Sequence, residues 1–252
     1  MISVVVLGAG HVGTHLCNAI NSTEQLKLTQ WYNRSKIDGS TTLMDVTQEH
    51  DLNDLADADV YILAVSDGHV EELSNQLPFE NRLVVHTSGS VPMRFLNNKN
   101  RRGVFYPLQT FSKTAPLDFK DVPICIETTN KGDRLLLKTL AEHLGSPVYT
   151  IDSEQRQALH LSAVFVNNFT NQLYRIAHEL TDEKSLDFEI LKPLISETAN
   201  KINHISPYMA QTGPAKRRDQ KTIRTHLKLL ENYPDYKKLY EQLTTLIQKT
   251  HG

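Results

Sequence analysis

Two short stretches near the start of the chain carry residue types that suit a dinucleotide. The first is Gly8-Ala9-Gly10-His11-Val12-Gly13, directly behind the apolar run Ile2–Leu7 and ahead of a helical pattern. Glycines at this spacing permit a tight turn at Gly8, close backbone approach to a pyrophosphate at Gly10, and helix-on-strand packing at Gly13. The amides of His11, Val12 and Gly13 then open a helix, where free N–H groups and the helix dipole favour a phosphate. The second stretch, Asn33-Arg34-Ser35, begins twenty residues beyond Gly13. A carboxylate there would accept the ribose hydroxyls of NAD and repel the 2′-phosphate of NADP. An amide, a guanidinium and a hydroxyl favour an anion instead, so the expected cofactor is NADP. The missing acid also argues against S-adenosylmethionine. The plainer alternatives are a structural glycine turn and a solvated Arg34.

Further candidates follow later apolar runs. Ala64-Val65-Ser66 and His86-Thr87-Ser88-Gly89 end two of them and are expected to line the path of the ribose and nicotinamide. Ser88 and Gly89 offer a hydroxyl and backbone amides; the alternative is a simple turn. Tyr106 and Gln109 follow the next run, and Tyr106 is a candidate proton donor or stacking group. In the segment 154–180, His160, Asn167 and Asn171 fall within about 20° of one another at 3.6 residues per turn, a polar stripe on an otherwise apolar helix. Read as part of a site, His160 is a general acid and Asn167 orients a substrate oxygen or nitrogen. A core histidine or an interface contact would satisfy the same stripe. The catalytic candidates are thus His160, Asn167 and Tyr106. The basic triplet in TGPAKRRD (212–219) reads as solvated or as a loop meeting a substrate carboxylate. No His, Cys, Asp or Glu spacing suggests a metal site, and no nucleophile elbow is present.

These residues need a scaffold that delivers several loops to one edge. Runs at 2–7, 26–32, 60–65, 82–87, 103–106, 122–127 and 147–151 read as strands, with helices at 12–20, 70–76 and 134–144. Strands of nearly continuous Val, Ile and Leu imply a sheet covered on both faces, hence mostly parallel. Gly145 is a natural left-handed helix stop. After Ser153 strand signals vanish. Helices are expected at 154–180, 188–204, 220–230 and 236–249, the first buried on more than one side, and Asp219 is a plausible N-cap. The expectation is an α/β fold with a Rossmann-like sheet, followed by an all-α C-terminal domain, divided at 1–152 and 153–252.

Composition narrows the partners. The 252 residues carry a formal net charge of −2 and are 39% hydrophobic, so nothing electrostatic calls for nucleic acid or an acidic membrane. No run reaches the roughly eighteen apolar residues of a spanning helix. Two distant cysteines, Cys17 and Cys125, fit a reduced cytoplasmic setting.

The motifs also carry a resemblance. SVVVLGAGHVG, NRS and ILAVSD are similar to stretches of pyrroline-5-carboxylate reductases and of deazaflavin-dependent NADP oxidoreductases. HTSGS (86–90), YPLQTF (106–111), LHLSAVFVNNF (159–169) and TGPAKRRDQKTIRTHL (212–227) resemble one bacterial family that joins a Rossmann-like NADP-oxidoreductase domain to a helical domain of unknown function. The resemblance implies a cytoplasmic NADP-dependent oxidoreductase, a homodimer through the helical domain, and no particular substrate. Two positions depart from the family pattern: Tyr106 stands where His is expected before Pro-Leu-Gln, and Arg218 stands where Gly often precedes Asp. The function expected is hydride transfer to or from a small C=O or C=N substrate, in a cleft between the two domains. The alternative is a non-catalytic NADP-binding sensor or scaffold acting through the helical domain.

Overall fold

The apolar runs do form strands, because each can bury both of its faces. The computed structural model describes residues 1–36, 43, 46–112 and 117–251. Among these lie β1 (Ile2–Leu7), α1 (His11–Asn21), β2 (Leu26–Tyr32), β3 (Thr47–Glu49), β4 (Val60–Leu63), α2 (Val70–Gln76), β5 (Leu83–His86), β6 (Arg101–Pro107), β7 (Ile124–Thr128), α3 (Lys131–His143) and β8 (Val148–Thr150). They build one sheet in the order β3-β2-β1-β4-β5-β6-β7-β8. Val4 and Val6 pack in one core cluster with Leu16, Cys17 and Ile20 of α1, whereas Val5 and Leu7 pack in another with Val70 and Leu77. That alternation is the signature of a sheet covered on both sides.

The chain leaves β1 toward β2 and β3, then crosses back to place β4 on the other side of β1. The order reverses there, and loops after β1 and β4 open a crevice at the carboxyl edge. All pairings are parallel except β6 with β7, where Tyr106 faces Cys125 in an antiparallel register. The short edge strand β3, Thr-Gln-Glu, is not foreseen by any apolar run. Helix α3 is capped by Asn130 and stops at Gly145, whose φ is +81°.

Next come α4 (Ser153–Ala163), six residues of π-helix (Val164–Phe169), α5 (Thr170–Asp182), α6 (Lys192–Lys201), α7 (Pro207–Ala210), α8 (Gln220–Leu229) and α9 (Pro234–His251). Asp152 and Gln155 cap α4 reciprocally, and Asp219 caps α8 through the Thr222 amide at 3.0 Å. The chain divides into two compact units, Met1–Asn168 and Phe169–Gly252, so α4 clusters with the sheet. Two expectations for 154–180 are corrected. The π turn carries i→i+5 bonds, an extra residue in the turn, and displaces the following side chains by about 100° from α-helical register. The stripe counted at 3.6 residues per turn therefore does not continue past residue 163. Nor is the segment buried on several sides: Leu161, Phe165 and Val166 are 59%, 60% and 73% exposed. Of the apolar side chains on α4, Leu159 packs beside the sheet, against the Val104–Tyr106–Cys125 cluster.

In the second unit, His226 Nδ1 and the Tyr240 hydroxyl join α8 to α9 at 2.9 Å. Arg218 precedes α8 with φ +54°, left-handed backbone that an L side chain adopts at about 1 kcal/mol or more. This is the position where the family pattern that the motifs resemble often has glycine. Arg218→Gly is expected to stabilise the protein by about 0.5–1 kcal/mol, raising Tm by about 2–4 °C in a thermal melt.

Candidate functional site

The glycine loop is held from below by β2. Gly8 N–H donates to Tyr32 O at 2.8 Å, Ala9 N–H to Asn33 Oδ1 at 3.2 Å, and the buried Trp31 indole N–H to Gly8 O at 2.9 Å. Gly8 has φ +121°, and a Cβ there would lie 2.3 Å from Ala64 O, so the loops after β1 and β4 touch as backbone. A Cβ on Gly10 would meet nothing within 4 Å, which leaves that side open to a ligand. Helix α1 begins with neither a capping side chain nor an acidic residue in its first turn. Its first amides are therefore available to an anion. The His11 ring is hydrogen-bonded to Phe111 O at 2.9 Å, so the side chain is engaged away from the glycine loop's own backbone.

Beyond this loop lies a pocket of about 310 Å³. Of the residues singled out from sequence, Gly8, Gly10, Asn33, Arg34, Ala64, Val65 and Ser66 line it, whereas His11, Val12, Gly13, Ser35 and Ser88 do not. Among the described residues, no hydrogen bond or ion pair engages the Arg34 guanidinium. Asn33 is committed otherwise. Its Oδ1 accepts from Ala9, and its Nδ2 donates to Ser35 O at 2.7 Å and Ser35 Oγ at 3.2 Å. The amide thus latches the β2 loop to the glycine turn, and Arg34 is left as the lining group for an anion. Tyr32 at the end of β2 also lines it, as do four residues at and along α2 that no sequence motif marks, His69, Glu72, Leu73 and Gln76. The spacing of these four, i, i+3, i+4 and i+7, puts them on one face at and along α2, a periodicity legible in the sequence. An acid does line the pocket, but Glu72 comes from α2 rather than from the end of β2.

A second cluster sits at the ends of β5 and β6. The Tyr106 hydroxyl and His160 Nδ1 are 3.2 Å apart, their rings edge to face. Gly89 packs against both, since a Cβ there would lie 2.6 Å from His160 Nδ1 and 2.8 Å from Tyr106 Cζ. Tyr106 is 8% exposed, and burial pushes its hydroxyl up to about 12, so it keeps its proton. His86, fully buried, accepts the Ser88 amide on Nδ1 at 3.1 Å; burial and then the nearby Arg156 charge lower it to about 3, so it stays neutral. Ser88 Oγ accepts the amides of Ser90 and Val91 at 3.1 and 3.0 Å, a turn-forming use of the hydroxyl. Asn167 lies exposed in the π turn, with no hydrogen-bond partner for its side chain among the described residues. Gln109 is exposed, and Lys216 donates to Gln211 O at 2.8 Å, so that lysine serves its own loop. Among the described residues no group of His, Cys, Asp and Glu could hold a metal ion, and no helix is long and apolar enough to cross a membrane.

The model of a family described as a domain of unknown function, DUF2520, matches residues 122–247. This chain belongs to that family. The family membership agrees with the resemblance carried by the motifs. A Bacteroides fragilis protein, described in its crystal structure as a "putative NADP oxidoreductase", is 37% identical, with TM-score 0.87 over 98% of each chain. A Plasmodium falciparum pyrroline carboxylate reductase with NADP bound superposes at TM-score 0.61 and 12% identity over 100% of both chains. An imine reductase from Myxococcus stipitatus in complex with NADP+ gives 0.67 and 13% over 99% of this chain and 96% of its own. At such identities these two share the fold. No curated protein matches the sequence. Together these structures identify the α/β architecture as that of Rossmann-like oxidoreductases, with DUF2520 spanning β7 to α9.

Proposed function

We propose that the protein is an NADP(H)-dependent oxidoreductase that passes hydride to or from a small C=O or C=N substrate. The observation that carries this reading is the Arg34 guanidinium, without a partner among the described residues, in one pocket with the glycine loop and beside the bare start of α1. Those groups fit a phosphorylated dinucleotide: amides of the α1 turn for the pyrophosphate, Arg34 for the 2′-phosphate, and the face of α2 bearing Leu73 for the adenosine. The name given to the 37% identical Bacteroides protein supports the same cofactor and reaction class.

Bound NADPH supplies the hydride. The chain's own residues supply position and a proton. Parallel pairing puts the ends of β4, β5 and β6 along the same edge as the pocket, so a cofactor extended from Arg34 runs toward Ser66, Ser88 and the Tyr106–His160 pair. We assign the phenol as donor to His160 Nδ1, because Tyr106 holds its proton; a ring that accepts at Nδ1 carries its hydrogen on Nε2. As the substrate carbon takes the hydride, Nε2–H gives its proton to the heteroatom while Nδ1 takes the phenol proton, and the resulting phenolate recovers its proton from solvent. Gly89 N–H has no acceptor among the described residues and adds a donor for the same heteroatom. Asn167 orients the substrate from the π turn. In this reading residues 1–152 hold the cofactor, while 153–252 contact substrate and join two copies of the chain. The exposed Leu173, Ile190, Leu194, Ile202 and Leu246 support that last assignment, since within 169–252 the buried hydrophobics among described residues are Ala215, Ile223 and Leu230.

The test is calorimetric binding of NADPH and NADH, followed by NADPH oxidation at saturating cofactor with a panel of cyclic imines and small oxo acids. Tight NADPH binding with steady oxidation of at least one member is expected. Absence of NADPH binding overturns the reading, and stoichiometric binding without turnover on any member favours the sensor.

A further inference from the structure

Arg156 lies in the first unit, on α4, and is 0% exposed. A buried guanidinium is expensive unless every face is met by an acceptor. Here one nitrogen, Nη1, shares its two hydrogens among three backbone carbonyls of a single loop: Ser88 O at 3.1 Å, Gly89 O at 3.2 Å and Val91 O at 2.8 Å. The other, Nη2, donates to Glu127 Oε2 and to Ser153 Oγ, both at 3.1 Å. Ser153 Oγ in turn donates to the Glu127 carboxylate at 2.9 Å. Glu127 is on β7 and its side chain is 14% exposed, so the counter-charge is itself well placed. Among the described residues, Nε finds no partner.

This is an unusual use of a buried charge. It does not join two side chains so much as gather three carbonyls from the loop between β5 and β6. In a trans peptide the C=O and the following N–H point opposite ways. Fixing Ser88 O on the guanidinium therefore turns Gly89 N–H away from Arg156. Gly89 is also the residue whose backbone presses on His160 Nδ1 and the Tyr106 ring. Arg156 and His160 are one helical turn apart on α4, so the clamp and the imidazole share one rigid element.

We propose that Arg156 is a positioning residue: by gripping the Ser88–Val91 carbonyls it holds the Gly89 backbone against the Tyr106–His160 pair and keeps that hydrogen bond formed. The role rests on the reading of that pair as proton donor, but the test does not depend on turnover. A lysine at this position keeps the charge and loses the two-nitrogen fork, so it cannot hold the loop and Glu127 together. The measurement is 15N NMR of the His160 imidazole near neutral pH in the full chain, its signal assigned with His160→Gln. Tyr106→Phe is expected to move the Nδ1 signal in the wild-type background, because the two groups share a bond. In the Arg156→Lys background the same substitution is expected to leave it unmoved, with NADPH affinity within about two-fold of wild type because the glycine loop and Arg34 are untouched. An equal displacement in both backgrounds, in protein with wild-type far-UV circular dichroism, overturns the proposal. Should Arg156→Lys not fold, Glu127→Gln is read the same way: it keeps an acceptor and removes the counter-charge, so a reduced Tyr106→Phe displacement supports the clamp and an unreduced one refutes it. Full turnover by Tyr106→Phe would instead defeat the proton-donor reading and leave the positioning result standing.

Discussion

Arg34→Ala is expected to weaken NADPH binding by about 10- to 100-fold while NADH binding changes by less than about two-fold. The magnitude follows from a charge-assisted contact between guanidinium and phosphate, worth roughly 1.5–3 kcal/mol. Among the described residues, no other arginine or lysine lines the pocket. The Asn33 amide is spent on Ser35 and on the Ala9 N–H, so it cannot turn toward a phosphate without releasing the glycine loop. Glu72 lines the same pocket. With Arg34 gone, a 2′-phosphate faces that carboxylate without compensation, while a plain ribose hydroxyl can donate to it. The variant should therefore lose its preference for the phosphorylated cofactor and can reverse it. Calorimetry with both cofactors decides the matter, and an unchanged preference in Arg34→Ala would falsify the assignment of the phosphate site. Low salt enlarges the wild-type preference, since the contact is exposed and screened.

How far the sequence leads depends on the range of the interaction. The turn from β1 into α1 is legible because apolar run, glycines and helix start are contiguous, and Gly145 and Asp219 are legible for the same local reason. Strand β3 is not, because Thr47-Gln48-Glu49 acquires its pairing from Gln30–Tyr32 rather than from any pattern of its own. The antiparallel turn of β7 is equally silent: an apolar run says that a strand is buried, not which way it points. Arg156 sits in Glu-Gln-Arg-Gln, which reads as a solvated helix face; its burial is decided by carbonyls more than sixty residues earlier in the chain. The Tyr106–His160 contact spans 54 residues. Both partners were candidates from residue type, yet only the fold brings them together. The helical stripe failed for a subtler reason, since a π turn shifts the count without leaving a mark that composition reveals.

Gly89→Ala is expected to reduce kcat for NADPH oxidation by roughly 100-fold, the effect of displacing a catalytic pair by about 1 Å, with KM for NADPH within about two-fold. The added methyl would stand 2.6 Å from His160 Nδ1 and 2.8 Å from Tyr106 Cζ, well inside contact distance. Neither ring yields freely. Tyr106 is packed with Val104 and Cys125, and His160 belongs to the helix that Arg156 anchors. The strain is therefore relieved by separating imidazole and phenol, the one arrangement that breaks their shared bond. Gly89 has no left-handed φ, so the substitution carries no backbone penalty of its own and the loss can be read as a loss of geometry. Tyr106→Phe provides the chemical counterpart: removing the hydroxyl without adding bulk is expected to lower kcat by about 10²- to 10⁴-fold. If the pair acts as one donor, combining the two substitutions costs little more than the larger single loss. Because burial holds the phenol at about 12, wild-type activity should show no alkaline loss attributable to Tyr106 until the pH nears that value. Wild-type kcat in both single variants, measured on the imine or oxo acid that the native protein turns over, would remove Tyr106 and His160 from the chemistry and move the search for the proton donor to Asn167 and the π turn.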